Sequence, residues 1–316
     1  MERNKLRRPE LTQLVIEGAD FDKQFIGKKL FPVKGEADRA GQYFKLEKGP
    51  GGLAKSGGAR RAAGAPYPRM KRTFTEDSYV CFEYGLEAPL DATDKAEHGD
   101  LIDLEALDAT TLARSLMIGH EQRVAAQIMT PANWLARRDP KVNYTEALLG
   151  TIDFIFDMNY AIKAMTDQGV IPTDVVLSDD LWLRIQRAPT LAKNIFGSAN
   201  DKLPELAQVA AKFTIPLNFH VAMAVYDQSE EGADADMVKI WPSTDIWVGA
   251  VKDGDFKMGG AGRTIVWDAD SPGGLLTTDS YEEDNIRASI TRVRMHTAEK
   301  VIDPNSGVLI KTNFGA

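Results

Sequence analysis

Between residues 104 and 129 the chain reads LEALDATTLARSLMIGHEQRVAAQIM, with no proline and one glycine. Leu112, Leu116, His120, Val124 and Ile128 recur at every fourth position, and Leu107 and Met117 widen the stripe. That spacing predicts an amphipathic helix with one buried face. Asp103 is placed to cap its start and Pro131 to stop it. At ~1.5 Å per residue the helix would run about 40 Å, enough for a structural spine. His120 falls on the apolar stripe and is expected to be a packed core histidine. A second helix is predicted over 145–168. It turns Leu148, Leu149, Ile152, Ile155, Phe156, Ala161, Ile162 and Met165 inward, and Gly169 is its C-terminal signal.

Strand patterns surround these helices. GQYFKLEK (41–48) and RTFTEDSYVCFEYGLEA (72–88) both have strand character, and in the second Val80, Phe82, Tyr84 and Leu86 alternate with more polar neighbours. DVVLS (174–178) reads as a buried strand, followed by a short helix over 179–189 that Pro189 stops. Another helix is predicted over 203–213, and strands over 217–227, 237–241 and 245–251. A long strand over 285–303 carries Ile286, Ala288, Ile290, Val293 and Met295. The order is mixed α and β, without the regular helix placement of a barrel or doubly wound sheet. Residues 1–40 hold Phe21, Phe25, Ile26, Leu30 and Phe31 without a sustained period. They are expected to form an extended arm, with at most a short helix, laid over other protein. Residues 49–68 contain six Gly, three Pro and no acidic residue. A connection of some twenty residues between paired strands is uncommon and marks a functional or mobile excursion.

Charge sharpens this picture. The net charge is −8, yet the first 75 residues carry 17 Lys/Arg against 8 Asp/Glu, and the other 241 carry 21 against 38. A basic arm on an acidic body suggests that one molecule's arm lies on its neighbour. Two separately solvated surfaces of opposite sign fit the count equally well. The 43% apolar content suits a globular chain of one large domain or two to three smaller ones. Apolar runs are short, as in VAMAV (221–225), so no membrane-spanning helix is expected. MERNKLRRPEL is not a secretory signal. Cys81 is the one cysteine, which excludes an intrachain disulfide and suggests a buried, inert thiol in a reducing cytoplasm.

Candidate chemistry is thin. GPGGLAKSGGARR (49–61) approaches a phosphate-binding loop, but Ala54 stands where glycine is needed before Lys55, and Pro50 removes an N–H. The following GGARRAAGAPYP cannot open a stable helix. GDFKMGGAGRT (254–264) lacks dinucleotide spacing and reads as a turn. His98, His120, His220 and His296 have no metal-ligand spacing. TDSYEEDN (278–285) lacks the order of a calcium loop and reads as a solvated acidic surface. No Gly-x-Ser-x-Gly elbow is present, and Asp179-Asp180 reads as helix capping. Arg7-Arg8 and Arg60-Arg61 could meet nucleic acid or an acidic protein surface. No catalytic, cofactor or metal residue is assigned.

Basic arm, glycine-rich hairpin, lone spine helix, mixed body and late long strand together resemble the major capsid protein of tailed double-stranded DNA bacteriophages, the Hong Kong 97 fold. QGVIPTDVVLSDDLWLRIQRAPTLAKNIFG (168–197) is similar to that family's run of Pro, buried strand, Ser/Asp cap, Trp-bearing helix and Pro stop, with Ala-Pro where many members have His-Pro. LPELAQVAAKFTIPLNFHVAMAVYD (203–227), IWPSTDIWVGAV (240–251) and the segment 280–310 extend the likeness over most of the chain. The resemblance implies an α+β capsid fold: residues 1–40 as N-arm, 41–88 as E-loop, 89–139 as P-domain with the spine helix. Residues 140–284 would then be the A-domain and 285–316 the return strand and tail. It implies a non-enzymatic shell subunit without cofactors, assembling in the host cytoplasm into hexamers and pentamers around DNA contacted non-specifically. Arg7, Arg8, Lys55, Arg60 and Arg61 would make inter-subunit contacts. Portal, scaffolding and decoration proteins are the expected partners, with no membrane. No long helix precedes the arm, so a separate scaffold or a removed prosegment is expected. An encapsulin-type shell and a nucleotide-binding enzyme using Lys55 are the alternatives.

Overall fold

A single strand, Ala288–Val301, organises one half of the molecule. The computed structural model describes residues 6–7, 12, 24–46, 60–61, 63–67, 69, 74–98, 103–197, 202–230, 232–271 and 274–314. Along one edge, Ala288–Val301 pairs with Thr277–Glu283 over its first half and with Gly262–Trp267 over its second. Along the other it pairs antiparallel with Phe82–Asp91, from Ala288 opposite Asp91 to Thr297 opposite Phe82. Leu6–Arg7 extends the sheet beyond Thr277–Glu283, and Val33–Glu36 adds a parallel strand beside Gly262–Trp267. Strand Ala288–Val301 begins two residues later than the apolar pattern suggests, because Ile286 lies exposed in the preceding turn.

Leu104–Met129 is one helix of 26 residues that packs across this sheet. Asp103 caps it as expected, accepting from the Ala106 N–H at 3.1 Å. Its buried face is Ala109, Ala113, Leu116, Met117, His120, Glu121, Val124, Ala125 and Ile128. Leu107, expected inward, is exposed, since it sits about 200° round the helix from Ala109.

Glu121 ties three elements together. Its carboxylate accepts from the backbone N–H groups of Ile26 (3.0 Å) and Gly27 (2.7 Å) and from the Trp241 indole (2.7 Å). Burial raises its pKa against these three donors. Phe25, Ile26, Leu30 and Phe31 are consequently buried in the chain's own core. Gly262 makes room for them, because a Cβ there would meet the Phe31 ring at 2.3 Å. The expected arm over other protein is thus corrected for residues 25–36, which dock on their own body; Phe21 lies outside the described residues.

A second, five-stranded sheet runs in the order Ala136–Arg138, Gly307–Lys311, Asp245–Gly249, Asp174–Ser178, Asn218–Ala222. Its core includes Val175, Leu177, Ile246, Val248, Val308 and Ile310, covered by Met158, Ile162 and Met165. The helix expected over 145–168 is two elements, a 3-10 turn Glu146–Thr151 and the helix Phe154–Thr166. Asp153 starts the second by capping the Phe156 N–H at 3.3 Å, and Leu148 and Phe156 are left exposed. Gly169 ends it with φ +71°, the left-handed conformation a glycine adopts without strain. Pro189 opens a further helix, Pro189–Phe196, as well as ending Asp179–Gln186, and the helix near 203–213 spans only Leu206–Ala210.

Sheet membership also departs from chain order. Gly262–Trp267 and Thr277–Glu283, expected with 140–284, join the long-strand sheet, while Gly307–Lys311, expected with 285–316, lies inside the second sheet. The acidic surface expected over TDSYEEDN holds for Glu282 and Asp284, which are exposed, but Thr277–Glu283 is a strand and its Asp279 is buried against Arg294. Arg294 also grips Asp270 through two bonds of 2.9 and 2.8 Å.

Two outcomes follow from the spine. Replacing Glu121 with Ala strands three buried donors, so urea unfolding should show a loss of about 3 kcal/mol or more. His120 is fully buried, its Nε2 lies 3.1 Å from the Thr264 hydroxyl, and burial holds its pKa down to about 4. An unfolded histidine titrates near 6.5, so this group's contribution is complete above about pH 6.5 and falls by about 3 kcal/mol toward pH 4. Urea midpoints of His120→Leu should therefore decline less steeply than wild type across that window; parallel slopes would contradict the assignment.

Candidate assembly surfaces

Ala40–Leu46 and Phe74–Val80 form an antiparallel hairpin, with Ala40 opposite Val80 and Leu46 opposite Phe74. Its root is clipped where Cys81 N donates to Arg39 O at 2.8 Å and Arg39 Nε returns to Cys81 O at 3.1 Å. Beyond Cys81 the chain enters Phe82–Asp91 and the long-strand sheet. The single strand pattern of 72–88 is therefore two strands in two sheets. Cys81 is buried at the junction and burial pushes its thiol up to about 11, as fits an unreactive residue. One hairpin face is anchored to the body. Tyr43 stacks on Phe256 at 4.4 Å, and its hydroxyl donates to Asp77, which also accepts from Lys45 at 2.6 Å. Burial and the Asp77 charge push the Tyr43 phenol well up.

The opposite face is uncovered. Phe44, Phe74 and Val80 on the hairpin, together with Phe82 and Leu86 of the strand beyond its root, are 41–59% exposed, and the Phe44 and Phe74 rings meet edge-on at 6.4 Å. Between the hairpin root and the spine helix lies a groove of about 480 Å³, lined by Val80, Phe82, Tyr84, Arg123, Ala126 and Gln127 among others. Arg123 lies over the Tyr84 ring at 3.8 Å and bonds Glu299 at 3.1 Å, so its charge is already engaged. An apolar face of this extent marks an interaction surface. The alternation of Val80, Phe82, Tyr84 and Leu86 signals an amphipathic strand but does not say what covers it.

The basic residues are dispersed. Arg60 and Arg61 are exposed in the segment joining the hairpin strands, and Arg61 lies over the Tyr67 ring at 4.5 Å while donating to the Ala65 carbonyl. Arg7 belongs instead to a strand whose backbone pairs with Asp279 and Ser280 of its own sheet. Arg8 and Lys55 lie outside the described residues. The strands flanking the Lys55 cluster pair with each other, and residues 60–61 and 63–67 carry no helix, so among the described residues there is no strand–loop–helix setting of a phosphate cradle. The second glycine cluster wraps a cation: buried Arg263 donates to the carbonyls of Gly254, Gly259 and Gly262 at 3.3, 3.0 and 2.7 Å. Its last residues, expected in a turn, start strand Gly262–Trp267. His220 and His296 each bond an aspartate, Asp174 and Asp270, at 2.9 Å. Among the described residues no group of three or more His, Cys, Asp or Glu could hold a metal, and no helix is long and apolar enough to cross a membrane.

No family model and no curated protein matches the sequence. Solved structures do. A phage-related protein from Bordetella bronchiseptica RB50 superposes with a TM-score of 0.73 at 21% identity, covering 98% of each chain. The capsid structure of the cyanophage P-SCSP1u matches with a TM-score of 0.59 at 12% identity, over 92% of this chain and 88% of that one. A virus-like particle from Pyrococcus furiosus matches at 0.53 and 10% identity, over 96% and 97%. Long strand, crossing spine helix, rooted hairpin and second mixed sheet together make this a Hong Kong 97-type capsid fold.

Proposed function

We propose that the chain is the major capsid protein of a tailed double-stranded DNA bacteriophage, a shell subunit rather than an enzyme. The observation that carries this is the hairpin with the strand that continues from its root: they are anchored on the long-strand sheet, yet Phe44, Phe74 and Val80 of the hairpin and Phe82 and Leu86 just beyond it face solvent. In this fold, whose solved examples include a cyanophage capsid, another copy is the natural cover. Each hairpin would lie over the next subunit, with Arg60 and Arg61, and Lys55 with them, meeting its acidic body. Many such weak contacts, repeated through hexamers and pentamers, stabilise a shell collectively. The net negative body suits DNA that is enclosed and touched non-specifically rather than gripped. Portal, scaffolding and decoration proteins complete the proposed partners, and assembly would take place in the host cytoplasm.

The match to an archaeal virus-like particle favours one second reading, a cellular nanocompartment shell that holds protein cargo. Nucleic acid in purified particles distinguishes the two: a genome-length DNA content supports the phage shell, and cargo protein without DNA supports the other.

Electron microscopy of the concentrated protein should show closed shells or capsomers. Replacing Phe44 and Val80 together by Ser touches only exposed hairpin side chains, so the unfolding free energy of the isolated subunit should fall by no more than about 0.5 kcal/mol per substitution. Shell yield should collapse. Normal shells from this variant would count against the hairpin as the gripping element.

A further inference from the structure

The second sheet carries opposite chemistry on its two edges. At one edge, Ala136–Arg138 places Arg138 beside the helix Phe154–Thr166. Phe156 and Tyr160, one helical turn apart, are half exposed and stack with rings 6.4 Å apart and 10° from parallel. Arg138 lies 4.3 Å from the Tyr160 ring centre, and Lys141 lies 4.9 Å from that of Phe156. Lys141 is paired with Asp153, but Arg138 has no carboxylate partner among the described residues, and its Nε is buried without a hydrogen bond. Exposed aromatics with an unpaired arginine are the composition of an interface centre.

Asn218–Ala222 forms the opposite edge, and the chain passes from it directly into the hairpin Val225–Asp227 and Met237–Lys239. The tip of that hairpin exposes Asp227, Glu230, Asp234 and Asp236, none of them in an ion pair among the described residues. Asp227 fixes the tip by accepting from the N–H groups of Ser229 (3.0 Å) and Asp236 (2.9 Å). The one lysine of its strands, Lys239, is taken by Asp179 and Asp180. Met223 and Met237 stand exposed at the hairpin base, 62% and 57%, as adaptable apolar contacts for aromatic rings.

We propose that these edges mate: the acidic hairpin at 227–236 of one copy docks on the Arg138–Tyr160–Phe156 surface of the next. Three strands lie between the two edges, a separation of four strand spacings or roughly 19 Å, so no single copy brings them together through its own sheet. The two patches differ in chemistry, so the contact is head-to-tail, and repetition about an axis closes it into a ring. A nucleic-acid strand is the less suitable occupant. Lys141 is already paired with Asp153, which leaves Arg138 as the cation of this patch without a carboxylate among the described residues, whereas a nucleic-acid backbone is held by several cations. The contact deepens the shell-subunit reading and rests on it.

The test uses the full chain in three forms: Arg138→Glu, Asp234→Lys with Asp236→Lys, and all three substitutions combined. Oligomers are weighed by mass photometry at fixed protein concentration, folding is followed by thermal melting, and bound nucleic acid by absorbance. Both partial variants should melt like wild type yet form about tenfold fewer ring-sized oligomers, because like charges now face each other. The combined variant should recover them. Wild-type oligomer levels in either partial variant, no recovery in the combined one, or loss of nucleic acid with oligomers intact would each overturn the contact. In those cases wild-type shells leave the shell-subunit reading standing; a wild-type chain that never associates removes both.

Discussion

The backbone pairing of Phe82–Asp91 with residues 288–297 is the constraint on which the remaining architecture depends. It joins the root of the hairpin to the strand that also holds Thr277–Glu283 and Gly262–Trp267, and the spine helix lies across the result. A hairpin of two strands has little stability by itself in water. This one is held in place by ten register pairs beyond its root and by the Tyr43–Phe256 stack beneath it. The hairpin can therefore be rigid at its base while its apolar face stays uncovered. That combination distinguishes a built arm from a loose loop.

Glu121 plays the corresponding part on the other side of the spine. Without its three bonds, the N-terminal turn Gly27–Leu30 and Trp241 would each bring unsatisfied donors into the core. Satisfying them from one carboxylate binds the start of the chain, the middle of the spine and the approach to the second sheet into one network. Removing water from that carboxylate is costly, which is why its pKa rises even with three donors present.

Much of this was legible in the sequence and some was not, for physical reasons that differ by residue. The spine helix reads to its ends, because Asp103 and Pro131 are local signals that tertiary contacts do not override. Val175, Val176 and Leu177 likewise form the buried strand that their run indicates. Glu121 escaped notice because a glutamate on a helix ordinarily marks the solvated face. Gly262–Trp267 was hidden by a glycine cluster whose carbonyls Arg263 gathers, and Thr277–Glu283 by an acidic run in which Arg294 neutralises the buried Asp279. The candidate basic contacts were legible as charge but not as placement: Arg60 and Arg61 stand exposed, whereas Arg7 lies in a strand of the body sheet. The apolar hairpin residues were visible as alternation. Their exposure was not, since periodicity reports two faces and is silent on which molecule buries them.

Two uncovered surfaces, the hairpin face and the Arg138 edge, thus lie on separate sheets and suit separate neighbours. The most direct measurement of the central claim is amide hydrogen exchange over 40–46 and 74–80, compared between isolated subunits and purified particles. If the hairpin's apolar face is covered only by another copy, these amides exchange quickly in the isolated subunit and become strongly protected in the particle. Equal protection in both states would show that the chain covers its own hairpin, and would contradict a role in gripping its neighbour.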